Sequence, residues 1–257
     1  MNERVRESIP ADVASVAAAD MVMAPRLERL AGASNYTNWI FEHVDPHLGA
    51  DVLEVGAGHG TFTELLSARA ARVVATDVSE RCADLLRMRF VNDERVTVLE
   101  GSADAAAGAG MAQFDSAVLI NVLEHIKDDD GALLDLAAAL KPGGRLILWV
   151  PAFQLLYSDW DRQIGHYRRY RKGALRAQLT RAGYEVTGIR YVNSAGALAW
   201  LVLARIMRRI PSSQGRVSFF NSYCVPVLRC LEKKWGAPFG QSVFAVATWP
   251  GSQRRRG

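Results

Sequence analysis

Residues 51–61 read Asp-Val-Leu-Glu-Val-Gly-Ala-Gly-His-Gly-Thr, and this stretch decides the fold. An apolar run interrupted by Glu54 precedes three glycines at alternate positions, Gly56, Gly58 and Gly60. A helical pattern follows over 62–70, so the sequence predicts a strand, a glycine-rich turn and a helix start. Glycines let a ligand lie close to the backbone, where amide groups and a helix N-terminus can bind it. The stretch therefore predicts the nucleotide end of a cofactor site.

The spacing of the glycines separates two classes of cofactor. A dinucleotide fingerprint needs its third glycine one place after Gly60, and Thr61 occupies that place. Glu54, two residues before the first glycine, would repel a pyrophosphate and attract a cationic amino-acid group. The pattern therefore opposes NAD and favours a ligand that carries positive charge.

With Glu54 included, the stretch resembles motif I of the class I methyltransferases that use S-adenosylmethionine (SAM). Further motifs of that family follow in its order, at Asp77, 101–104, 121–125 and 140–144. The resemblance covers about residues 36 to 192. It implies an α/β fold with a seven-stranded, Rossmann-like sheet of strand order 3-2-1-4-5-7-6, in which the seventh strand is antiparallel. The cofactor-binding residues that it implies are Tyr36, Glu54, Gly56, Ala57, Gly58, Gly60, Asp77, Val78, Ala103, Asp104 and Asn121.

Three of these residues have an alternative interpretation. Asp77 would bind the ribose hydroxyls, or it would cap a helix predicted over 79–88. Asp104 would accept from the adenine amino group, or it would be a solvated loop residue. Tyr36, Trp39 and Ile40 share one helical face, which would pack on the core, whereas the family resemblance implies that Tyr36 closes over the methionine end of SAM.

The chain length of 257 residues predicts a single methyltransferase domain. We predict an N-terminal helical cap over 1–48, a SAM-binding core over 49–192, a helical insert over 193–241, and a last strand with a basic tail over 242–257. The alternation of apolar runs with helical patterns predicts a parallel sheet with helices on both faces. The predicted strands are 51–55, 72–76, 95–99, 114–120, 145–150, 185–192 and 242–249, and the predicted helices of the insert are 195–210 and 220–235.

The segment 151–171 is long for a strand-to-helix connection and rich in aromatic residues, which predicts a wall of the acceptor pocket. Its His166 lies in a pattern that resembles the family's H-x-R-x-[FY] element. We predict His166 as the catalytic base, assisted by Tyr36 or Tyr170, with a packed histidine as the alternative. The predicted acceptor-binding residues are Phe153, Tyr157, Trp160, His166, Tyr167 and Tyr170, with Trp200 and Tyr223 from the insert, for which core packing is the alternative.

These features predict methyl transfer from SAM to a small aromatic or heteroaromatic acceptor, such as a natural-product intermediate or an indole. A lipid or lipid-linked acceptor and a nucleic acid are the alternatives. Asn121-Val122-Leu123-Glu124 stands where enzymes that methylate nucleobase amines carry N-P-P-Y, which disfavours a nucleic acid. The net charge of +4 and the pI near 9.1 favour anionic partners only weakly.

Cysteine usage and hydropathy bear on location. Cys82, Cys224 and Cys230 have no metal-like spacing, which predicts a reducing compartment, no metal and no radical use of SAM. Residues 1–20 lack the apolar core of an export signal, so we predict a cytoplasmic protein. The apolar run 195–204 ends at Arg205, too short to span a bilayer, and predicts a buried helix or one that contacts a membrane surface. The oligomeric state is not indicated.

Overall fold

The computed structural model describes residues 34–108, 114–202 and 218–251. Within these ranges seven strands form one sheet in the order β3-β2-β1-β4-β5-β7-β6, which confirms the predicted topology. The five strands β1 to β5 run parallel, and β7 lies antiparallel between β5 and β6. The strands are β1 Asp51–Val55, β2 Arg72–Asp77, β3 Val96–Glu100, β4 Phe114–Ile120, β5 Leu140–Pro151, β6 Glu185–Val192 and β7 Ser242–Thr248.

Helices connect these strands on both faces of the sheet. The α-helices of the described ranges are α1 Ser34–Val44, α2 Thr61–Ser67, α3 Glu80–Arg89, α4 Ala103–Gly108, α5 Asp129–Ala139, α6 Asp159–Gln163, α7 Lys172–Arg181, α8 Ser194–Trp200 and α9 Val225–Trp235. Shorter turns of helix are the 3-10 segments Asp45–His47, Leu123–His125 and Gln154–Leu156 and the π-helical turn Phe220–Cys224, which runs directly into α9.

Some predicted boundaries need correction. Strand β5 begins at Leu140 rather than at 145, because Leu140 already pairs with Phe114 ahead of an irregularity in the β4–β5 register. Helix α3 is capped by Ser79, whose side chain accepts from the Cys82 amide, so Asp77 is not its cap. Of the predicted helix over 195–210, the structure describes α8 and the two residues that follow it, and 203–210 lies outside the described residues. Of the predicted N-terminal cap, residues 1–33 also lie outside them.

The core lies in two layers, one on each face of the sheet. Alternation along the strands divides it, since Leu53 faces one layer and Val52 the other. On the second face, Trp39 and Ile40 of α1 are buried against Trp149 and Phe244, with Tyr36 packed beside them. This arrangement confirms the core-packing interpretation of the α1 face.

Topology brings the predicted site residues to one edge of the sheet. Strands β1, β2, β4 and β5 are parallel, so the segments that follow them meet beyond their carboxyl ends. Gly56, Asp77, Asn121 and Ala152 lie at this edge, which we call the carboxyl edge. In the described part of the chain no helix combines the length and apolarity needed to cross a membrane, and no disulfide joins Cys82, Cys224 or Cys230 there.

The central strand is the most sensitive part of this fold. Leu119 of β4 is fully buried, and truncating it to alanine should lower the free energy of unfolding by about 2–5 kcal/mol. Leu134 on α5 is exposed and is the matched control, for which we expect a change below about 0.5 kcal/mol. Urea denaturation of the two variants measures both values, and equal losses would contradict the assignment of β4 to the core.

Candidate active site

The glycine turn after β1 uses its three glycines for different purposes. All three have positive φ, which favours glycine. A Cβ at Gly56 would lie 2.5 Å from Val122 and one at Gly60 would lie 2.7 Å from Phe90, whereas one at Gly58 would meet nothing within 4 Å. Only Gly58 therefore leaves open space for a ligand. This corrects the expectation that all three glycines make room for one, because Gly56 and Gly60 are required by protein packing.

Asp77, the last residue of β2, holds the glycine turn. Its Oδ2 accepts from the Gly58 amide at 2.8 Å and its Oδ1 accepts from the Ser79 amide at 3.0 Å. The amides of Gly56 and Ala57 both donate to the Thr76 carbonyl. An acidic side chain therefore lies nearly buried beside an open glycine, as a ribose hydroxyl requires. These residues fit the nucleoside part of SAM.

Glu54 lies buried on β1, and the Thr63 hydroxyl donates to its Oε2 at 2.6 Å. Burial, together with the negative charge of Asp77, raises the pKa of Glu54 to about 8. The side chain is therefore largely neutral in the free protein at neutral pH. A cationic group bound nearby would favour its ionised form, so the predicted pairing of Glu54 with the donor's ammonium group requires the loss of a proton.

The other predicted cofactor residues follow the strands at the same edge. Val78 is exposed directly after Asp77, and Ala103 and Asp104 open α4, with Ala103 buried and Asp104 exposed. Asn121 ends β4 with a φ of 54°, a left-handed conformation that asparagine tolerates. Their roles toward SAM remain predictions.

Tyr36 is placed by the core rather than by an open cleft. Its hydroxyl lies among the side chains of Asn193, Ser242 and Trp149, and burial raises its pKa. Its ring meets Trp39 edge-on, with the centroids 6.2 Å apart. Nothing in these contacts joins Tyr36 to His166, and its role as a lid remains a prediction.

A second group of buried polar residues surrounds His166. Asp161 is fully buried, and its Oδ1 lies 2.9 Å from His166 Nδ1 and accepts from Arg169 Nε at 2.7 Å. Its Oδ2 accepts from the amide and the hydroxyl of Ser158, both at 2.8 Å. Asp161 therefore fixes the imidazole ring and directs the other ring nitrogen, Nε2, away from itself.

Glu124 faces that nitrogen. Its Oε1 lies 3.8 Å from His166 Nε2, and neither carboxyl oxygen has a side-chain hydrogen-bond partner among the described residues. Burial raises the pKa of Glu124 to about 8, although Arg169 lowers it in part. The His125 ring lies 4.6 Å from the His166 ring, and burial lowers the pKa of His125 to about 3, which keeps it neutral. We call Glu124, His125, Asp161, His166 and Arg169 the His166 cluster.

The His166 cluster contains the atoms of a metal site. One ligand atom each from Glu124, His125 and His166 lie within 4.8 Å of one another. Imidazole and carboxylate groups suit transition metals, and a carboxylate behind a histidine, as Asp161 is here, orients such a ligand. These three residues could therefore hold a metal ion, and the expectation of a metal-free protein remains a prediction.

The aromatic residues of 151–171 divide between the cluster and the core. The Tyr157 hydroxyl donates to the His166 carbonyl at 2.7 Å. Trp200, from the insert, donates to the Leu156 carbonyl at 3.0 Å, and the Arg169 guanidinium lies 5.1 Å from its ring centroid. The structure therefore places Tyr157 and Trp200, two of the predicted acceptor-binding residues, beside the His166 cluster.

Tyr170 is placed differently from the prediction. It is buried, and its hydroxyl donates to Asp129 Oδ2 at 2.9 Å and lies 3.2 Å from the Leu123 carbonyl. Tyr170 therefore anchors α5 to the loop and does not orient His166. Asp161 orients His166 instead, and this corrects the expectation that Tyr170 assists it.

The remaining predicted acceptor residues are dispersed. Phe153, with a φ of 57°, stacks on Tyr191 with the ring centroids 4.6 Å apart. Trp160 is half-buried in α6, and Tyr167 is exposed beside Arg168. Tyr223 is exposed, and its ring contacts Phe219 rather than the His166 cluster.

Sequence reasoning gave no site role to Glu124 or Asp161. The available signal was the acid five residues before His166 in a loop rich in aromatic residues, together with the acid next to His125. Neither spacing shows burial, and burial is what makes these charges significant.

The raised pKa of Glu124 has a consequence for stability. An acid with a raised pKa in the folded state contributes stability below its ordinary value of 4.5, and loses it as the pH rises through about 8. The free energy of unfolding of the Glu124→Gln variant should therefore fall less than that of the parent between pH 5 and 9. At the alkaline end it should be higher than the parent's by on the order of 1–3 kcal/mol. Denaturant unfolding across this range measures the difference. The exposed Glu94→Gln is the control, and parallel pH curves for E124Q and the parent would show that Glu124 is ionised in the fold.

Comparisons with known proteins give the family. The profile of a methyltransferase domain family matches residues 19–189. The ubiquinone biosynthesis O-methyltransferase of Stutzerimonas stutzeri is 29% identical over 110 residues, which are 42% of this chain and 47% of that protein. The demethylmenaquinone methyltransferase of Tropheryma whipplei is 32% identical over 100 residues, 39% of this chain and 41% of that one. The matches to these curated relatives thus span less than half of their length.

Solved structures support the same fold. The phosphoethanolamine N-methyltransferase 2 of Haemonchus contortus, solved with phosphomonomethylethanolamine and S-adenosylhomocysteine, aligns with a TM-score of 0.60 at 17% identity. The alignment covers 92% of this chain and 60% of that one. At this identity the likeness concerns the fold alone. With the strand order, the glycine turn and a family match over most of its length, this chain belongs to the methyltransferase domain family, as a class I SAM-dependent methyltransferase.

Proposed function

We propose that this protein transfers the methyl group of SAM to a hydroxyl oxygen of a small aromatic acceptor, and that His166 accepts the acceptor's proton. The observation that carries the proposal is the Asp161–His166 hydrogen bond of 2.9 Å, in the loop that follows β5 at the carboxyl edge. A carboxylate on Nδ1 holds the ring in the tautomer whose Nε2 carries a lone pair. A buried histidine so oriented is suited to general-base catalysis.

The chemistry requires little else from the protein. Bound SAM supplies an electrophilic methyl group on its sulfonium. The acceptor oxygen forms the new bond to the methyl carbon, the electron pair of the broken carbon–sulfur bond goes to sulfur, and the acceptor's proton passes to His166 Nε2. The residues of the chain position the two partners and exclude water. Asp77 and the open backbone at Gly58 would hold the nucleoside of SAM.

Two lines of support favour an aromatic acceptor. The aromatic side chains of Tyr157 and Trp200 lie at the His166 cluster, and aromatic rings pack favourably against one another. The curated relatives are named for ubiquinone biosynthesis and for demethylmenaquinone. A natural-product intermediate, such as an indole methylated at carbon, is the alternative aromatic acceptor. A lipid-linked aromatic acceptor also agrees with this proposal. A nucleic acid is disfavoured by the sequence Asn121–Glu124. A cytoplasmic location stays part of the proposal.

Isotope labelling tests this function. The protein is incubated with methyl-deuterated SAM and, separately, with aqueous and lipid extracts of the source organism, and with a catechol, a reduced naphthoquinone and an indole as defined probes. Transfer of the labelled methyl group to an oxygen of an aromatic compound, detected by mass spectrometry, is the expected result. Transfer only to RNA, or to none of the fractions while SAM binds, would overturn the proposal.

Removing the proposed base separates binding from catalysis. His166→Ala should leave SAM affinity unchanged and lower kcat by about 10² or more, because the acceptor proton has no base to receive it. The matched control is Gln163→Ala, which removes an exposed polar side chain of the same loop and should keep full activity. Calorimetry with SAM and single-turnover rates with the labelled donor provide the two readouts. If His166→Ala kept the parent's rate over the whole pH range, His166 would have no catalytic role.

A further inference from the structure

Large apolar side chains recur at every fourth position along the π-helical turn and α9, and all of them are exposed. They are Phe219, Tyr223, Val227, Leu231 and Trp235, with exposed fractions of 60%, 67%, 58%, 43% and 71%. We call this set the 219–235 stripe. Surface apolar residues are usually scattered singly, so a regular row of five marks an interaction surface.

The stripe winds slowly around the outer side of the segment. A step of four residues advances about 40° beyond a full turn of an α-helix, so the three steps from Tyr223 to Trp235 turn the row by about 120°. The wider π-helical turn Phe220–Cys224 shifts only the first step, from Phe219 to Tyr223, in the opposite sense. Phe219 and Tyr223, on the two sides of this shift, remain in contact with ring centroids 5.2 Å apart.

The opposite side of the same segment is fixed to the domain. Asn221 is buried and accepts through its side chain from the Tyr36 amide at 3.0 Å. Val225 is fully buried in the core. The Glu232 carboxylate accepts from the amides of Asn193 and Ser194 at 2.9 and 2.8 Å. The helix is therefore held in place by its inner face, which leaves the stripe directed outward.

Lysines border the C-terminal end of the stripe. Lys233 and Lys234 are exposed there, and Lys234 Nζ lies 4.9 Å from the Trp235 ring centroid. Arg229, on the same helix, pairs with Glu42 of α1. The Glu232 carboxylate faces inward, as its contacts with the start of α8 show. An apolar row bordered by two exposed lysines complements a surface that is both apolar and anionic.

We propose that the 219–235 stripe binds the surface of an anionic lipid bilayer, with its apolar side chains at the boundary between headgroups and acyl chains. Aromatic and aliphatic residues flanked by lysines are typical of helices that lie in this interface. Anionic headgroups attract the lysines, and the aromatic side chains suit the headgroup level. The inference goes beyond methyl transfer and does not depend on the acceptor. It does place the insert that carries Trp200 to the His166 cluster beside the membrane.

Vesicle flotation tests this proposal. The full chain should float with vesicles of phosphatidylcholine containing about 30% phosphatidylglycerol, and much less with phosphatidylcholine alone. Leu231→Glu should weaken binding to the mixed vesicles by about tenfold or more, since it places a charge in the stripe. Leu134→Glu, on an exposed leucine of α5, is the matched control and should bind as the parent does. Lys233→Gln should weaken binding to the anionic vesicles by about fivefold and leave the neutral ones unchanged.

Other occupants of the stripe give distinct results. Failure of the parent to float with anionic vesicles, or equal binding by Leu231→Glu and Leu134→Glu, would overturn the proposal. A dimer in sedimentation velocity that Leu231→Glu dissociates, without vesicle binding, would assign the stripe to a second copy of the chain and would also overturn it. Thermal melts check that each variant is folded, and Phe219→Ser provides a second stripe variant that should lose binding in the same way.

Discussion

The structure depends on the hydrogen bond between the Asp77 carboxylate and the Gly58 amide. A parallel sheet brings β1 and β2 side by side, so the segments that follow them meet beyond their carboxyl ends. Asp77 joins these two segments by holding the glycine turn of β1 from the end of β2. Packing forbids side chains at Gly56 and Gly60, while Gly58 stays open. Close packing and open space thus fall to different glycines within five residues.

Three buried acids lie in the candidate site. Glu54, beside the glycine turn, and Glu124, in the His166 cluster, both have a pKa raised to about 8 by burial. Asp161 is buried too, but Arg169, Ser158 and His166 hydrogen-bond to it and hold its pKa below the usual range. Asp161 therefore differs from the other two acids because of its partners. A neutral Glu54 can lose its proton when a cation binds beside it, whereas the charged Asp161 holds His166 in place.

The sequence was sufficient for the fold because the information was local and repeated. The glycine spacing, the acids at strand ends and the alternating apolar runs each indicate the same βα architecture. The family resemblance implies the strand order. Two of the predicted cofactor-binding residues, Gly58 and Asp77, also lie on such local motifs. The predicted acceptor-binding residues have no such motif to place them. Tyr170 and Tyr157 are both tyrosines of one loop, yet one hydroxyl binds Asp129 in the core and the other binds the His166 carbonyl.

Burial explains most of the remaining differences. The sequence does not show that Asp161 is the partner of His166, because their contact depends on the short helix α6 and its capping box. Tyr223 is predicted as an acceptor-binding residue because the insert is expected to fold over the edge that carries the aromatic loop. The buried Val225 and Asn221 hold the helical segment so that Tyr223 points outward instead. Helix position along a sequence predicts which residues share a face, and it does not show which face meets the core.

The central claim is that the glycine turn held by Asp77 is the binding site for SAM. Calorimetric titration with SAM of the parent, of Asp77→Asn and of the exposed control Asp84→Asn tests it most directly. The account predicts that the parent and Asp84→Asn bind alike and that Asp77→Asn binds about tenfold more weakly or worse, because a charge-assisted hydrogen bond to the donor is lost. Equal affinity for all three proteins, or binding of NAD in place of SAM, would contradict it.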